Sequence, residues 1–155
     1  MLGINAPRAS GQIVEAKVVA TGMACPFCAY GVEKWLGRVH GVTDVTVDLK
    51  TDTANLRFAK GASLDAKAIH RAVTKAGFTM GAVTVTAVGF LTEENGSLVL
   101  TVRGAKQKFL LTSPENEKAL TKLLKEEAAI QVTGKVQARQ QGLARLALAH
   151  YAVVK

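Results

Sequence analysis

The order in which the hydrophobic period changes is the feature that most confines this chain. QIVEAKVVA (12–20) alternates as a half-buried strand does, and in the following PFCAYGVEKWLGR the residues Ala29, Val32 and Leu36 recur at helical spacing. Pro26 suits a first helical turn, where the N–H it lacks would have no intrahelical acceptor. TDVTVDL (43–49) returns to period two, and TANLRF (53–58) follows after a short turn, which predicts a hairpin. SLDAKAIHRAVTKAG then sets Ile69, Ala72, Val73 and Ala76 on one stripe, with Ser63 expected as N-cap and Gly77 as terminator. TMGAVTVTAV (79–88) is again strand-like. The resulting order, βαββαβ, is the split βαβ arrangement of a ferredoxin-like fold.

Beyond it the pattern changes. VTVTAVGFL, SLVLTVRG and KQKFLLT predict three strands, with Asn95-Gly96 marking the first turn. SPENEKALTKLLKEE predicts a helix, with Ser113 at the N-cap, Pro114 at the first position and Leu120, Leu123 and Leu124 as its stripe. AAIQVTGKVQA and LARLALAHYAV, separated by RQQG, complete a βββαββ order that resembles the five-stranded barrel of an OB-fold. The expected class is therefore α+β, with a ferredoxin-like domain over residues 1–80 (core about 13–80) and an OB-like barrel over 81–155. No Pro/Gly/Ser-rich linker separates them, because GAVTVTAVGF (81–90) reads as one continuous strand, shared or abutted by both.

Nearly half of the 155 residues are apolar, enough for a sizeable core, and no apolar run approaches the roughly 18 residues of a membrane span. The net charge of +8 divides evenly, since each half carries ten Lys/Arg and six Asp/Glu. Dispersed charge without a basic block describes a solvated surface rather than a site for nucleic acid, anionic lipid or an acidic protein partner. The opening MLGINAPRASGQ shows no intact secretory signal, so the expectation is a cytoplasmic protein, or a periplasmic one if a signal has been removed.

The chain has two cysteines, Cys25 and Cys28, too few for a disulfide framework. At positions i and i+3 around a helix start both sulfurs can reach one ion, and the helix dipole favours the thiolate. Thiolates prefer soft ions such as Cu(I), whereas a closed zinc site wants four protein ligands. The three histidines, His40, His70 and His150, lie in other elements without ligand spacing to the pair. A site with two protein ligands can accept a third from a partner, which permits handover. The intervening Pro26 and Phe27 give CPFC, similar to the active sites of thioredoxin-like oxidoreductases, so a thiol–disulfide oxidoreductase is the alternative. Such enzymes set a cis-proline from a later strand against the dithiol; the prolines here are Pro7, Pro26 and Pro114, and Pro114 opens a helix in the other domain.

GMACPFC, followed by Val32 and Leu36, GVTDVTVDL and KAGF, resembles the heavy-metal-associated domain family over roughly residues 13–85. The family includes bacterial copper chaperones and periplasmic mercury-binding proteins. The resemblance implies a ferredoxin-like fold, a metal site of Cys25 and Cys28, Cu(I) or Hg(II) as cargo, no organic cofactor, no enzymatic activity, and a metal-transporting ATPase or membrane transporter as donor or acceptor. Two positions depart from the family pattern: Phe27 stands where a small residue is usual and Ala24 where a hydroxyl is usual.

Met23 has the thioether of a Cu(I) ligand, but its place before the loop predicts a core plug. By the same resemblance Phe78 faces the metal loop; an ordinary core position is compatible with that. Met80 is expected to pack. Trp35, two helical turns after Cys28, is expected on the same side of the helix, as a reporter of metal or a cover for the sheet edge. His40 and His70 are expected in solvent and His150 alone in the last strand. In the barrel, Arg103, Lys106, Lys108, Lys135 and Arg139 supply charge, but with only Phe90, Phe109 and Tyr151 as aromatics, some of them needed inside, single-stranded nucleic acid is not the expected partner.

Overall fold

In the computed structural model, which describes residues 12–23, 26–112, 117–126, 129–137 and 144–153, the first strand, β1 (Gln12–Thr21), lies in the middle of a sheet. Its partners are β3 (Thr53–Phe58) on one side and β4 (Thr79–Glu94) on the other, and β2 (Val42–Asp48) completes the edge beyond β3. All these pairs are antiparallel, with Lys17 opposite both Asn55 and Thr84. Helices α1 (Pro26–Leu36) and α2 (Ala66–Lys75) connect the strands as in a ferredoxin-like unit. Period two puts Ala16, Val18 and Ala20 of β1 in the core, and period 3.6 adds Val32, Leu36, Ile69 and Val73; all are fully buried. Each large side chain so buried contributes roughly 1.5–3 kcal/mol.

Helix α2 starts later than the Ser63 cap would place it. Asp65 is the N-cap, with an extended backbone and its carboxylate accepting the Ala68 N–H at 3.1 Å. Both residues are capping types; Leu64, only 6% exposed, takes up the position between them and moves the start on. Gly77, at φ +96°, ends the helix as its sequence position predicts.

β4 does not stop where the ferredoxin-like unit ends. Residues 79–88 pair with β1, and from Phe90 the same edge passes to β5 (Ser97–Val102), while residues 84–90 pair on the other edge with β7 (Ala129–Gln137). Strands β6 (Gln107–Thr112) and β8 (Arg145–Val153) join β5 to β7, so the order β4-β5-β6-β8-β7 closes back onto β4 as a five-stranded barrel. The β6–β8 pairing is parallel. Helix α3 (Glu117–Glu126) lies between β6 and β7 in sequence, and its Leu120 is fully buried. The expected N-cap Ser113 and first-turn Pro114 lie outside the described residues. Asn95 and Gly96 both have positive φ, 55° and 79°, the backbone of a two-residue hairpin turn. Leu91, Leu100, Phe109, Leu111, Ile130, Val132 and Leu146 fill the barrel side of the core.

Residue 81 thus falls inside β4, and both units are built on one strand. A second fastening lies away from it: the Leu64 N–H donates to Gln107 Oε1 and Gln107 Nε2 donates to the Leu64 carbonyl, both at 2.8 Å. The amide side chain thereby meets both polar groups of one residue on the other half. Among the described residues no helix is long and apolar enough to cross a membrane.

Candidate metal centre

The chain turns from β1 into α1 through Gly22, whose φ of +103° belongs to the region that favours glycine. Met23 follows and is 1% exposed, anchored in the core as a plug. Ala24 and Cys25 lie outside the described residues. Pro26 is the first residue of α1, which makes Cys28 the third, in the turn where backbone N–H groups have no intrahelical acceptor and the dipole stabilises negative charge. Cys28 is half-buried and packed against the core.

Phe78 lies against Gly22. A β-carbon on Gly22 would meet its Cδ1 at 3.4 Å, so the ring reaches the loop backbone while also packing on the core. The described residues before α1 are thus held by two side chains, Met23 buried in the core and Phe78 against Gly22. Met80, opposite Ala20 in the β1–β4 ladder, is half-buried and borders an open depression with Lys67, His70 and Arg71.

Trp35 does not simply cover a sheet edge. The Arg38 guanidinium lies 5.0 Å from its ring centroid and the Lys75 ammonium 5.3 Å, so one indole holds cations from the end of α1 and the end of α2. His40, His70 and His150 are exposed. Among the described residues no three His, Cys, Asp or Glu side chains gather where they could hold one metal ion. In the barrel, Phe109 is fully buried and the Arg103 guanidinium covers the Phe90 ring at 4.6 Å, while Lys108 pairs with Glu94 at 2.9 Å.

Two features near the site lie outside the cysteine motif and its expected supports. Phe27 and Tyr30 are 87% and 66% exposed on the side of α1 away from Val32 and Leu36. Their i, i+3 spacing, out of phase with the buried stripe, carries that information in the sequence. Gln107 has no local signal, because its partner is distant in sequence.

Fold and site together define a class of domain: a ferredoxin-like sheet with a thiol in the first turn of its first helix, after a turn at glycine. The heavy-metal-associated domain family matches residues 18–79. The COP-associated protein of Helicobacter felis is 37% identical over 60 residues, covering 39% of this chain and 88% of that protein. Through this domain the chain belongs to the heavy-metal-associated domain family. Copper-transporting ATPase 1 of Rhizobium meliloti is 44% identical over 57 residues, 37% of this chain, but the match spans only 7% of the ATPase. The structure of oxidized MerP from Ralstonia metallidurans CH34 is 27% identical, with a TM-score of 0.40, covering 46% of this chain and 94% of that one.

Proposed function

We propose that the chain binds a soft heavy-metal ion, Cu(I) or Hg(II), through the thiolates of Cys25 and Cys28 and passes it to a protein partner, as a chaperone or transport accessory without enzymatic activity. The observation that carries this is Cys28 in the first turn of α1, half-buried, after a Gly22 packed near Phe78 and a Met23 buried in the core, in a domain of the heavy-metal-associated family. Two thiolates suffice for a soft ion and leave room for a partner's thiolate, so transfer can proceed by ligand exchange without a bare ion in water. A copper-transporting ATPase among the relatives supports a metal-transporting ATPase as donor or acceptor.

The barrel, residues 81–155 in this division, is proposed to be OB-like and to serve docking or stability. Its strand order and the helix between its third and fourth strands support that reading.

Titration of the reduced protein with Cu(I) against a competing chelator tests the site. Cys25→Ser and Cys28→Ser are each expected to abolish tight binding, since one thiolate cannot replace two. Wild-type affinity in the double variant would refute the ligand assignment. The alternative, a thiol–disulfide oxidoreductase, is favoured by Pro26-Phe27 between the cysteines; it requires that the dithiol reduce a protein disulfide at a rate comparable with thioredoxin, and that metal abolish the activity.

A further inference from the structure

Between α2 and the start of β4 lies a depression of about 370 Å³, lined by Ala66, Lys67, His70, Arg71 and Met80. Ala66 with His70 and Lys67 with Arg71 are two i, i+4 pairs, so successive turns of α2 form one wall, and the half-buried Met80 faces them from β4. The surface presented is mostly apolar. Lysine and arginine add to it, because their aliphatic stems lie along apolar surface while the charged heads stay in water.

The charges at this depression have one sign. Lys67 and Arg71 set like charges at i, i+4, an arrangement that weakens a helix. α2 contains no Asp or Glu to offset them, and among the described residues the one ion pair joins Lys108 to Glu94. Asp65, just before the helix, commits its carboxylate to the Ala68 N–H at 3.1 Å. Helix stability therefore opposes the two cations, and an anion seated between them would relieve the repulsion. The volume falls at the lower end of the roughly 300–1,000 Å³ of small-ligand sites. The exposed large hydrophobic side chains Phe27, Tyr30, Leu49 and Val153 do not line it, so none projects from it to enter a lipid surface. A concave site accepts an apolar tail instead of offering one.

We propose that this depression binds a small, soluble amphiphilic anion: an acyl or aryl body carrying one carboxylate or phosphate. The body lies against Ala66 and Met80, and the head sits between Lys67 and Arg71, with an imidazole N–H of His70 as a further donor. Burial of the body supplies affinity, and the two cations select an anionic head over a neutral or cationic one. Methionine adapts to bodies of different outline, so selection is by charge more than by shape. The site uses neither cysteine and stands apart from the metal reading.

The test follows the methyl groups of the three methionines, Met1, Met23 and Met80, by carbon-13 NMR of the full chain while decanoate is added below its micelle-forming concentration. Met80→Leu assigns the Met80 signal, and Met23, 1% exposed, is the internal control. A saturable shift of the Met80 methyl is expected, with Met23 unmoved. Decyl phosphate is expected to compete, whereas decanol and decylammonium bind roughly tenfold more weakly or worse. Lys67→Glu and Arg71→Glu are each expected to weaken decanoate roughly fivefold, and added salt to weaken it further. Ala66→Trp, which fills the depression, is expected to abolish the shift. The absence of a saturable shift, equal binding of decylammonium, affinity unmoved by the charge reversals, or a Met80 shift produced by phosphatidylglycerol vesicles and not by decanoate would overturn the proposal. In Cys25→Ser/Cys28→Ser the decanoate titration is expected to be unchanged, so failure of the metal site and failure of the anion site are read separately.

Discussion

Replacing Gly89 by alanine tests whether the transfer of the β4 edge from β1 to β5 depends on the missing side chain. A β-carbon there would sit 2.5 Å from the Thr101 carbonyl oxygen, 3.1 Å from its carbonyl carbon and 3.2 Å from Leu100 Cδ1. Backbone atoms cannot rotate away as a side-chain tip can, and reaching ordinary contact at 3.4 Å requires the strands to part by up to about 0.9 Å. Overpacking of that kind costs about 1–3 kcal/mol, and a weakened ladder hydrogen bond adds about 1 kcal/mol. Alanine returns about 0.4–1 kcal/mol by restricting the unfolded chain, leaving a net loss of about 1–3.6 kcal/mol. For a chain of this size each kcal/mol shifts the midpoint by about 2–4 °C, so the midpoint of thermal unfolding followed by circular dichroism is expected to fall by roughly 2–14 °C. Because β4 belongs to both units, the transition is expected to remain single. Gly31→Ala is the control: it has the same unfolded-state gain and no clash, so its midpoint is expected to rise. A Gly89→Ala protein melting at or above wild type would refute the steric argument.

Two further perturbations check the local assignments. Asp65→Ala should lose about 1 kcal/mol in denaturant unfolding while Ser63→Ala changes little; the reverse ranking would restore Ser63 as the cap. Gln107→Ala removes both hydrogen-bond partners of Leu64 and should cost about 2 kcal/mol, with faster hydrogen exchange at the Leu64 amide; unchanged exchange would show that the clasp does not hold the halves.

Features that depend on neighbours along the chain are legible in the sequence itself. The β3 segment TANLRF is the strand Thr53–Phe58 to the residue, Val32 and Leu36 are fully buried as their spacing predicts, and Asn95-Gly96 makes the hairpin turn. Cys28 lies in the first turn of a helix, where Pro26 and the periodicity put it; the position of Cys25 is outside the described residues. Each follows from a side-chain period or a φ preference, and both act over a few residues.

Tertiary structure alone decided which strand edges meet. The sequence announces a strand at 81–90 but not that β1 and β5 occupy successive stretches of one edge, nor that β6 and β8 pair in parallel to close the barrel. Backbone N–H and C=O groups are the same at every residue, so a strand's composition does not name its partner; the partner follows from burying one face of every strand at once. Trp35 between Arg38 and Lys75, and Gln107 against Leu64, arise in the same way, from groups that become neighbours only after the elements pack. The two cysteines and their spacing are written in the chain, whereas Phe27 and Tyr30 stand in water on α1 because Val32 and Leu36 of the same helix turn inward to the core.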